Sequence, residues 1–206
     1  MTDRKSHWES VYRDKSPLDV SWYQQEPALS LELIRQAGVA PEAPMIDVGG
    51  GASVLVDRLL AQGYTDLSVL DISARALDCA RRRLGASADR IEWLEADITA
   101  FQPARRYALW HDRAVFHFLT AADERQRYVQ SLRRALVPGG HVIIAAFAIG
   151  GPTRCSGLDI VQYDADRLMG ELGPAFALQS TRAEAHATPG GSIQQFGYFL
   201  IRLTAG

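Results

Sequence analysis

Residues Pro44–Val54, PMIDVGGGASV, indicate how the chain folds. Met45, Ile46 and Val48 form a short apolar run, which is typical of a strand buried on both faces of a parallel sheet. Three glycines follow, and the next segment, ASVLVDRLLAQG, has apolar residues at helical spacing and Gly63 as its stop. A strand that leads into a helix through a glycine turn presents free backbone N–H groups at the carboxyl edge of the sheet, where ligands bind in open α/β folds.

The glycine turn differs from the fingerprint of a dinucleotide site. That fingerprint is G-x-G-x-x-G, in which the third glycine lets helix and strand pack closely beside a pyrophosphate. Gly49 and Gly51 fit the pattern, but Val54 occupies the third position, and Asp47 lies just before the turn. A carboxylate there repels a phosphate and attracts a ligand that carries an ammonium group. The alternative is an ordinary tight turn in an α/β domain.

Composition limits the class of protein. The chain has 206 residues, is 47% hydrophobic and has a net charge of −2. This length can bury one sizeable core, so we expect a single domain over residues 1–206. The balanced charge predicts no nucleic-acid or membrane partner. Two cysteines without a framework, polar first residues and the lack of a long apolar run favour a cytoplasmic protein.

Strands and helices alternate along the rest of the chain, which predicts an α/β protein with a parallel, doubly wound sheet and right-handed crossovers. The last two strands, Phe176–Ala183 and Ile193–Leu203, are joined through glycines and predict an antiparallel hairpin, making seven strands in all. The four strands expected between the glycine turn and this hairpin are Asp66–Asp71, Arg90–Leu94, Tyr107–His111 and His141–Phe147.

Acidic residues follow the ends of two predicted strands. Asp71 ends the second strand about twenty residues beyond Gly51, the spacing at which a carboxylate meets the two hydroxyls of a ribose. Asp97 follows the third strand, where it can accept a hydrogen bond from an adenine amino group while Ile98 covers a face of the base. The alternative for Asp97 is the cap of a helix or loop.

Residues 1–25 are polar but contain four large aromatic side chains. Trp8 and Tyr12 are four residues apart and share a helix face, whereas Trp22 and Tyr23 lie in an expected extended loop. Such side chains either cap the core or form a lid over a flat, apolar ligand. Both roles are open from the pattern alone, and residues 1–25 are a candidate lid segment.

Together these features resemble the class I S-adenosylmethionine-dependent methyltransferases over roughly residues 40–203. The resemblance implies a Rossmann-like methyltransferase fold and S-adenosyl-L-methionine as cofactor. Ser53 stands where the family has a third motif glycine. The matching motifs, in chain order, are Asp47-x-Gly49-x-Gly51, Asp71, Asp97-Ile98, Asp112-Arg113 after the fourth strand, and the L-x-P-G-G turn at Leu136–Gly140.

The resemblance also implies roles for individual residues. Gly49 and Gly51 would approach the methionine part of the cofactor, and Asp47 would lie close to its positively charged amino-acid end. Asp71 would bind the ribose, and Asp97 with Ile98 the adenine. The full set of candidate cofactor-binding residues is Asp47, Gly49, Gly51, Asp71, Ile72, Asp97, Ile98 and Asp112.

A narrower resemblance is to the thiopurine and tellurite-resistance methyltransferases. It depends on the W-x-x-x-Y…W-Y-Q pattern from Trp8 to Gln24 and on Asp112-Arg113-Ala114. It implies an aromatic lid and an arginine that face the cofactor or the substrate. A long loop after the fifth strand is a further candidate for the substrate wall. The candidate substrate-binding residues are therefore Trp22, Tyr23, Arg113 and Arg154.

The chemistry of a sulfonium limits what the site must contain. Methyl transfer is an in-line displacement that needs alignment and exclusion of water. A thiol, selenol or similar soft acceptor needs no strong protein base, whereas a lysine or hydroxyl acceptor does. The catalytic residues are not identified by the sequence; His111 and Asp112 are candidates, with a structural histidine as the alternative for His111.

Three functions are compatible with the sequence. The first is a methyltransferase acting on a small-molecule substrate, the second a protein-lysine methyltransferase, and the third a non-catalytic sensor that binds the cofactor. The five histidines have no metal-ligand spacing, so we expect no metal site. We expect a monomer or a homodimer.

Overall fold

The computed structural model describes residues 3–204 and contains a central seven-stranded sheet. A separate two-stranded ribbon lies in the loop that follows the fifth strand. The strands in chain order are β1 (Met45–Val48), β2 (Leu67–Asp71), β3 (Ile91–Glu95), β4 (Tyr107–Arg113), β5 (Leu136–Phe147), β6 (Arg154–Cys155), β7 (Leu158–Asp159), β8 (Phe176–Ala187) and β9 (Ile193–Leu203).

The sheet has the order β3-β2-β1-β4-β5-β9-β8. The first five strands in this order are parallel, and β9 runs antiparallel to both β5 and β8. This confirms the predicted doubly wound, mostly parallel sheet with an antiparallel C-terminal hairpin. The order reverses direction between β1 and β4, and a crevice is expected at the carboxyl ends of these two strands.

Helices cover both faces of the sheet because an amphipathic helix has one apolar stripe to bury. In chain order they are α1 (Arg4–Asp14), α2 (Ala28–Ala37), α3 (Leu55–Ala61), α4 (Ala74–Leu84), α5 (Ala122–Ala135) and α6 (Ala165–Leu172). Residues of α2, α3 and α4 pack in one core, whose members include Leu33, Leu55 and Leu77. Residues of α5 and α6 pack in the other, which includes Tyr128 and Leu168. No helix within residues 3–204 is long and apolar enough to cross a membrane.

Strands β4 and β5 are longer than predicted. β4 continues through Asp112 and Arg113, because Val48 of β1 and Ala145 of β5 pair with these residues on either side. β5 begins at Leu136 and so includes the predicted Pro-Gly-Gly turn, which appears as an irregularity: Leu136 pairs with Tyr107, but the register shifts before Leu109. Sequence propensity located these elements, and pairing with neighbouring strands set their ends.

The turn after β1 requires glycine at two positions. Gly49 has φ of +68° and Gly51 has φ of +34°, values that residues with a Cβ adopt only under strain. A Cβ on Gly51 would lie 2.5 Å from Oδ2 of Asp71, and one on Gly49 would lie 2.0 Å from Val115. The turn therefore brings the end of β1 close to the end of β2 and to the segment that follows β4.

Candidate functional site

Two adjacent cavities open at the carboxyl edge of the sheet. The larger cavity encloses about 740 Å³ and the smaller about 560 Å³, each including its solvent-open mouth. Tyr12, Trp22, Gly49 and Arg113 line both, so these side chains separate the two spaces and join them. The shape suits an elongated ligand whose two ends differ in chemistry.

The floor of the larger cavity is formed where β2 and β3 end. Asp71, Ile72, Asp97 and Ile98 all line it, as their places at neighbouring strand ends predict. Oδ1 of Asp71 accepts a hydrogen bond from the backbone N–H of Ser73 at 2.8 Å. Burial, the largest of several influences, raises the pKa of Asp71 to about 7. Its charge therefore depends on pH near neutrality.

Asp97 caps a loop and also lines the larger cavity. Oδ1 accepts hydrogen bonds from the backbone N–H and the hydroxyl of Thr99, each at 2.8 Å, which is a loop cap. Oδ2 lies 3.6 Å from Nη1 of Arg4, and the Asp97 side chain is partly exposed in the larger cavity. Ile98 is almost fully buried beside it. A planar base at this place would contact an acceptor oxygen along its edge and an apolar side chain on its face.

The smaller cavity has a different polar group, the carboxylate of Asp47. Asp47, Gly49, Gly50 and Ser53 line it, together with His111 from β4. Nδ1 of His111 lies 2.7 Å from Oδ1 of Asp47. A carboxylate at the open end of a glycine turn suits a cationic group rather than a phosphate.

An aromatic wall covers the larger cavity. Trp8 on α1 makes edge-to-face contacts with Trp22 and with Phe118, at ring-centroid distances of 5.6 and 5.1 Å. Tyr12 contacts Trp22 at 6.3 Å, and Tyr23 lines the smaller cavity. Such contacts bury apolar surface and hold the wall in one arrangement.

Ion pairs attach α1 to the rim of the site. Arg4 contacts Glu124 of α5 at 2.7 Å, Lys5 contacts Glu95 at the end of β3 at 2.5 Å, and Glu9 contacts Arg75 of α4 at 3.2 Å. Because these partners belong to three different elements around the opening, α1 bridges it. Each pair is partly exposed and contributes little alone.

Arg113 lies between the cavities, and each of its three guanidinium nitrogens has a partner. Its Nε donates to the hydroxyl of Tyr198 at 2.8 Å, and its Nη1 donates to the backbone carbonyl of Trp22 at 3.0 Å. Its Nη2 lies 3.4 Å from Glu184, and its guanidinium stacks over Phe196 with 4.4 Å to the ring centroid. The predicted substrate-facing arginine therefore does line the site, but it fastens the loop at Trp22 to the C-terminal hairpin.

Three predicted site residues lie outside both cavities. Gly51 shapes the turn after β1, because a side chain at this position would collide with Asp71. Arg154 is exposed on β6, where it pairs with Asp159 at 3.1 Å, while its neighbour Cys155 lines the larger cavity.

Asp112 is fully buried, and its carboxylate accepts hydrogen bonds from Val115 N–H at 2.9 Å, Phe116 N–H at 3.1 Å and the Tyr128 hydroxyl at 2.6 Å. Burial raises the pKa of Asp112 to about 6.

Comparison with known proteins agrees with this geometry. Residues 45–140 match the model of a family described as a methyltransferase domain. An S-adenosylmethionine-dependent methyltransferase from Anabaena variabilis superposes with a TM-score of 0.76 over 98% of this chain and 96% of its own, at 18% identity. The chain has the class I methyltransferase fold.

Two further structures with the methyltransferase fold are similar. The N-methyltransferase NodS from Bradyrhizobium japonicum, in complex with S-adenosyl-L-homocysteine, gives a TM-score of 0.72 over 98% of this chain and 99% of its own, at 17% identity. The 1,6-didemethyltoxoflavin-N1-methyltransferase of Burkholderia thailandensis gives 0.71 over 97% and 87%, also at 17% identity.

Sequence similarity to a curated protein covers less of the chain. Nodulation protein S of Rhizobium tropici is 29% identical over 133 residues, which are 65% of this chain and 52% of that protein. The match thus spans about half the length of the curated relative.

Sequence reasoning missed several residues of this methyltransferase fold that face or support the cavities. Arg4 and Phe118 line the larger cavity without belonging to any motif. Ser30 lines the smaller cavity and bonds His111 at 2.9 Å. Its signal was available: Ser30 shares a face of α2 with Leu33 and Ile34, and a polar residue on a buried face needs a partner.

Proposed function

We propose that this protein is an S-adenosyl-L-methionine-dependent methyltransferase that acts on a small-molecule acceptor. The arrangement that carries this proposal is the placement of Asp47, Asp71 and Asp97 at successive strand ends along two adjoining cavities. Three acceptor carboxylates suit a ligand with an ammonium group, a ribose diol and an adenine amino group. Similarity to structures described as methyltransferases, one of them in complex with S-adenosyl-L-homocysteine, supports the same ligand.

In this proposal the nucleoside lies in the larger cavity and the methionine part extends into the smaller one. Asp71 accepts hydrogen bonds from the ribose hydroxyls, and Asp97 with Ile98 contacts the adenine. Gly49 lets the chain approach the sulfur, and Asp47 faces the ammonium group. Ile72 adds apolar contact beside Asp71. Asp112 is assigned to the turn after β4, because its oxygens already accept hydrogen bonds from the chain.

Calorimetric titration tests the cofactor. S-adenosyl-L-methionine and S-adenosyl-L-homocysteine are expected to bind with one site per chain, and NAD is expected to give no heat of binding. The reverse preference would contradict the proposal, since a dinucleotide requires space for a pyrophosphate beside the glycine turn.

The acceptor is expected to enter the larger cavity behind the aromatic wall. Its reacting atom must align with the methyl group, and Trp8, Trp22 and Phe118 exclude water from that approach. When bound, the cofactor supplies a methyl group already activated by the sulfonium. The bridge that α1 makes across the opening favours a small molecule over a polypeptide, and residues 1–25 are proposed as the lid of a single domain.

The charges of the larger cavity favour a neutral nitrogen acceptor over an anionic thiolate. Arg113 is paired with Glu184, and Arg4 is paired with Glu124. Burial raises the pKa of the Cys155 thiol, and we expect the same surroundings to raise the pKa of a thiol acceptor. A soft acceptor, the thiopurine-like specificity, a cytoplasmic location and a monomeric or homodimeric state stay predictions.

The variant Glu184→Gln is expected to shift acceptor preference toward thiols. Removing the carboxylate leaves the Arg113 charge without its ionic partner, and about 1 kcal/mol of added attraction for a thiolate corresponds to about a fivefold rise in the thiol-to-amine ratio of kcat/KM. Methyl transfer to a panel of heteroaromatic amines and thiols measures this ratio. Glu171→Gln, which breaks the Arg125–Glu171 pair between α5 and α6, is the matched control and should leave the ratio unchanged.

Cofactor binding is expected to weaken as the pH falls below 7. The Asp71 carboxyl has a pKa of about 7 in the free protein, and only its ionised form accepts hydrogen bonds with both oxygens. Protonation therefore competes with the ribose, and the Kd of S-adenosyl-L-homocysteine should rise by up to about tenfold per pH unit between pH 7 and pH 5.5 and level off above pH 8. A flat profile over this range would contradict the role given to Asp71.

A further inference from the structure

We propose that His111 and Ser30 are positioning residues, which hold the Asp47 carboxylate so that its free oxygen meets the charged amino-acid end of the cofactor. The inference rests on the proposed function and extends it to two residues that no motif identifies. It also replaces the idea that His111 serves as a general base.

The three side chains form a continuous hydrogen-bonded chain across three elements. Asp47 on β1 and His111 on β4 are directly paired in the parallel register. Nδ1 of His111 lies 2.7 Å from Oδ1 of Asp47, and Nε2 lies 2.9 Å from Oγ of Ser30 on α2. The exposed fractions are 7% for Asp47, 4% for His111 and 1% for Ser30, so water does not compete for these bonds.

The chain of bonds fixes the histidine tautomer. An ionised carboxylate only accepts, so Nδ1 must carry the hydrogen that it shares with Asp47. In the neutral ring, Nε2 then accepts from the hydroxyl of Ser30. Both ring nitrogens are occupied, so His111 has no lone pair to offer a substrate. A histidine held in this way orients its partner, as outer hydrogen-bond partners do at other ligand sites.

The bond from His111 leaves one oxygen of Asp47 for a ligand. No hydrogen-bond donor from the described residues, 3–204, reaches Oδ2. That oxygen lies beside the glycine turn, only 2.5 Å from where a Cβ on Gly50 would be. Asp47 lines the smaller cavity, so Oδ2 is placed to accept from an ammonium group there.

The same distances occur in nucleophile–base–carboxylate triads, but the surroundings do not suit that chemistry. Ser30 exposes 1% of its surface inside the first turn of α2, and His111 exposes 4%. Although Ser30 contributes to the lining of the smaller cavity, its low exposure means that its Oγ is not presented to a substrate. The arrangement is therefore one that orients the carboxylate.

Two ligands separate this role from a general effect on folding. S-adenosyl-L-homocysteine carries the amino-acid end, whereas 5′-methylthioadenosine is an adenosine thioether that lacks it. His111→Leu removes both hydrogen bonds at similar volume and should weaken S-adenosyl-L-homocysteine about 10- to 100-fold, with little change for 5′-methylthioadenosine. Ser30→Ala removes only the outer bond and should weaken the first ligand about three- to tenfold. His111→Asn keeps an N–H near the position of Nδ1 and should restore part of the affinity.

Controls and contrary outcomes are specific. Ser131→Ala removes a buried serine hydroxyl that bonds Phe101 at 2.8 Å elsewhere in the protein, and it should change neither affinity. Equal losses for both ligands, or no loss for either, would overturn the positioning role. Wild-type protein that binds neither ligand would instead overturn the proposed function itself. If His111→Leu does not fold, the comparison of Ser30→Ala with Ser131→Ala decides the matter.

Discussion

The variant Asp71→Asn is expected to weaken binding of S-adenosyl-L-methionine by about 100-fold. The asparagine oxygen can replace Oδ1 as acceptor for the Ser73 N–H. The amide nitrogen then faces the ribose and cannot accept from a hydroxyl, so charged hydrogen bonds worth about 1.5–3 kcal/mol each are lost. Titration calorimetry on the purified variant measures the change in Kd.

The Asp71→Asn variant is expected to lose affinity for the cofactor without losing stability. Burial opposes ionisation of Asp71, so a neutral amide at that place should leave the free energy of unfolding unchanged or raise it. Asp66→Asn, at the opposite end of the same strand segment, alters the ion pair with Arg105 and should leave cofactor affinity unchanged. If Asp71→Asn binds S-adenosyl-L-methionine as tightly as the wild type, the ribose does not bind at Asp71.

The variant Asp112→Ala is expected to lower the free energy of unfolding by about 3–5 kcal/mol. Its carboxylate accepts from two backbone N–H groups and from the hydroxyl of Tyr128, so the variant would leave all three donors without this partner, two of them fully buried. Chemical denaturation followed by fluorescence measures the loss.

The control for Asp112→Ala is Tyr128→Phe. That variant removes one donor to Asp112 and one acceptor for the indole N–H of Trp110, and it should lower stability by about 1–3 kcal/mol. A stable Asp112→Ala protein with abolished methyl transfer would show instead that the carboxylate acts in the reaction.

The difference between Asp112 and its neighbour shows what the sequence could and could not predict. A β4 that ends at His111 leaves both Asp112 and Arg113 free to face a ligand. In the longer strand that the structure contains, consecutive side chains point to opposite faces, so Asp112 meets α5 while Arg113 meets the hairpin. The strand end depends on pairing with β1 and β5, which no local pattern encodes.

The sequence pattern also did not predict which distant segments contact each other. Asp71 and Asp97 were found because the end of a parallel strand is visible in the hydrophobic pattern and fixes where the next side chain lies. Glu184, the ionic partner of Arg113, is 71 residues from it, and Ser30 is 81 residues from His111. Spacing along the chain carries no information about such pairs, although the polar residue on the buried face of α2 indicated that one existed.

The aromatic wall and the carboxylates belong to different parts of the chain, and this has an evolutionary consequence. Trp8, Tyr12 and Trp22 come from the first 25 residues, whereas Asp47, Asp71 and Asp97 come from strand ends inside the sheet. Substitutions in the N-terminal segment can therefore reshape the wall of both cavities during evolution while the three carboxylates stay in place.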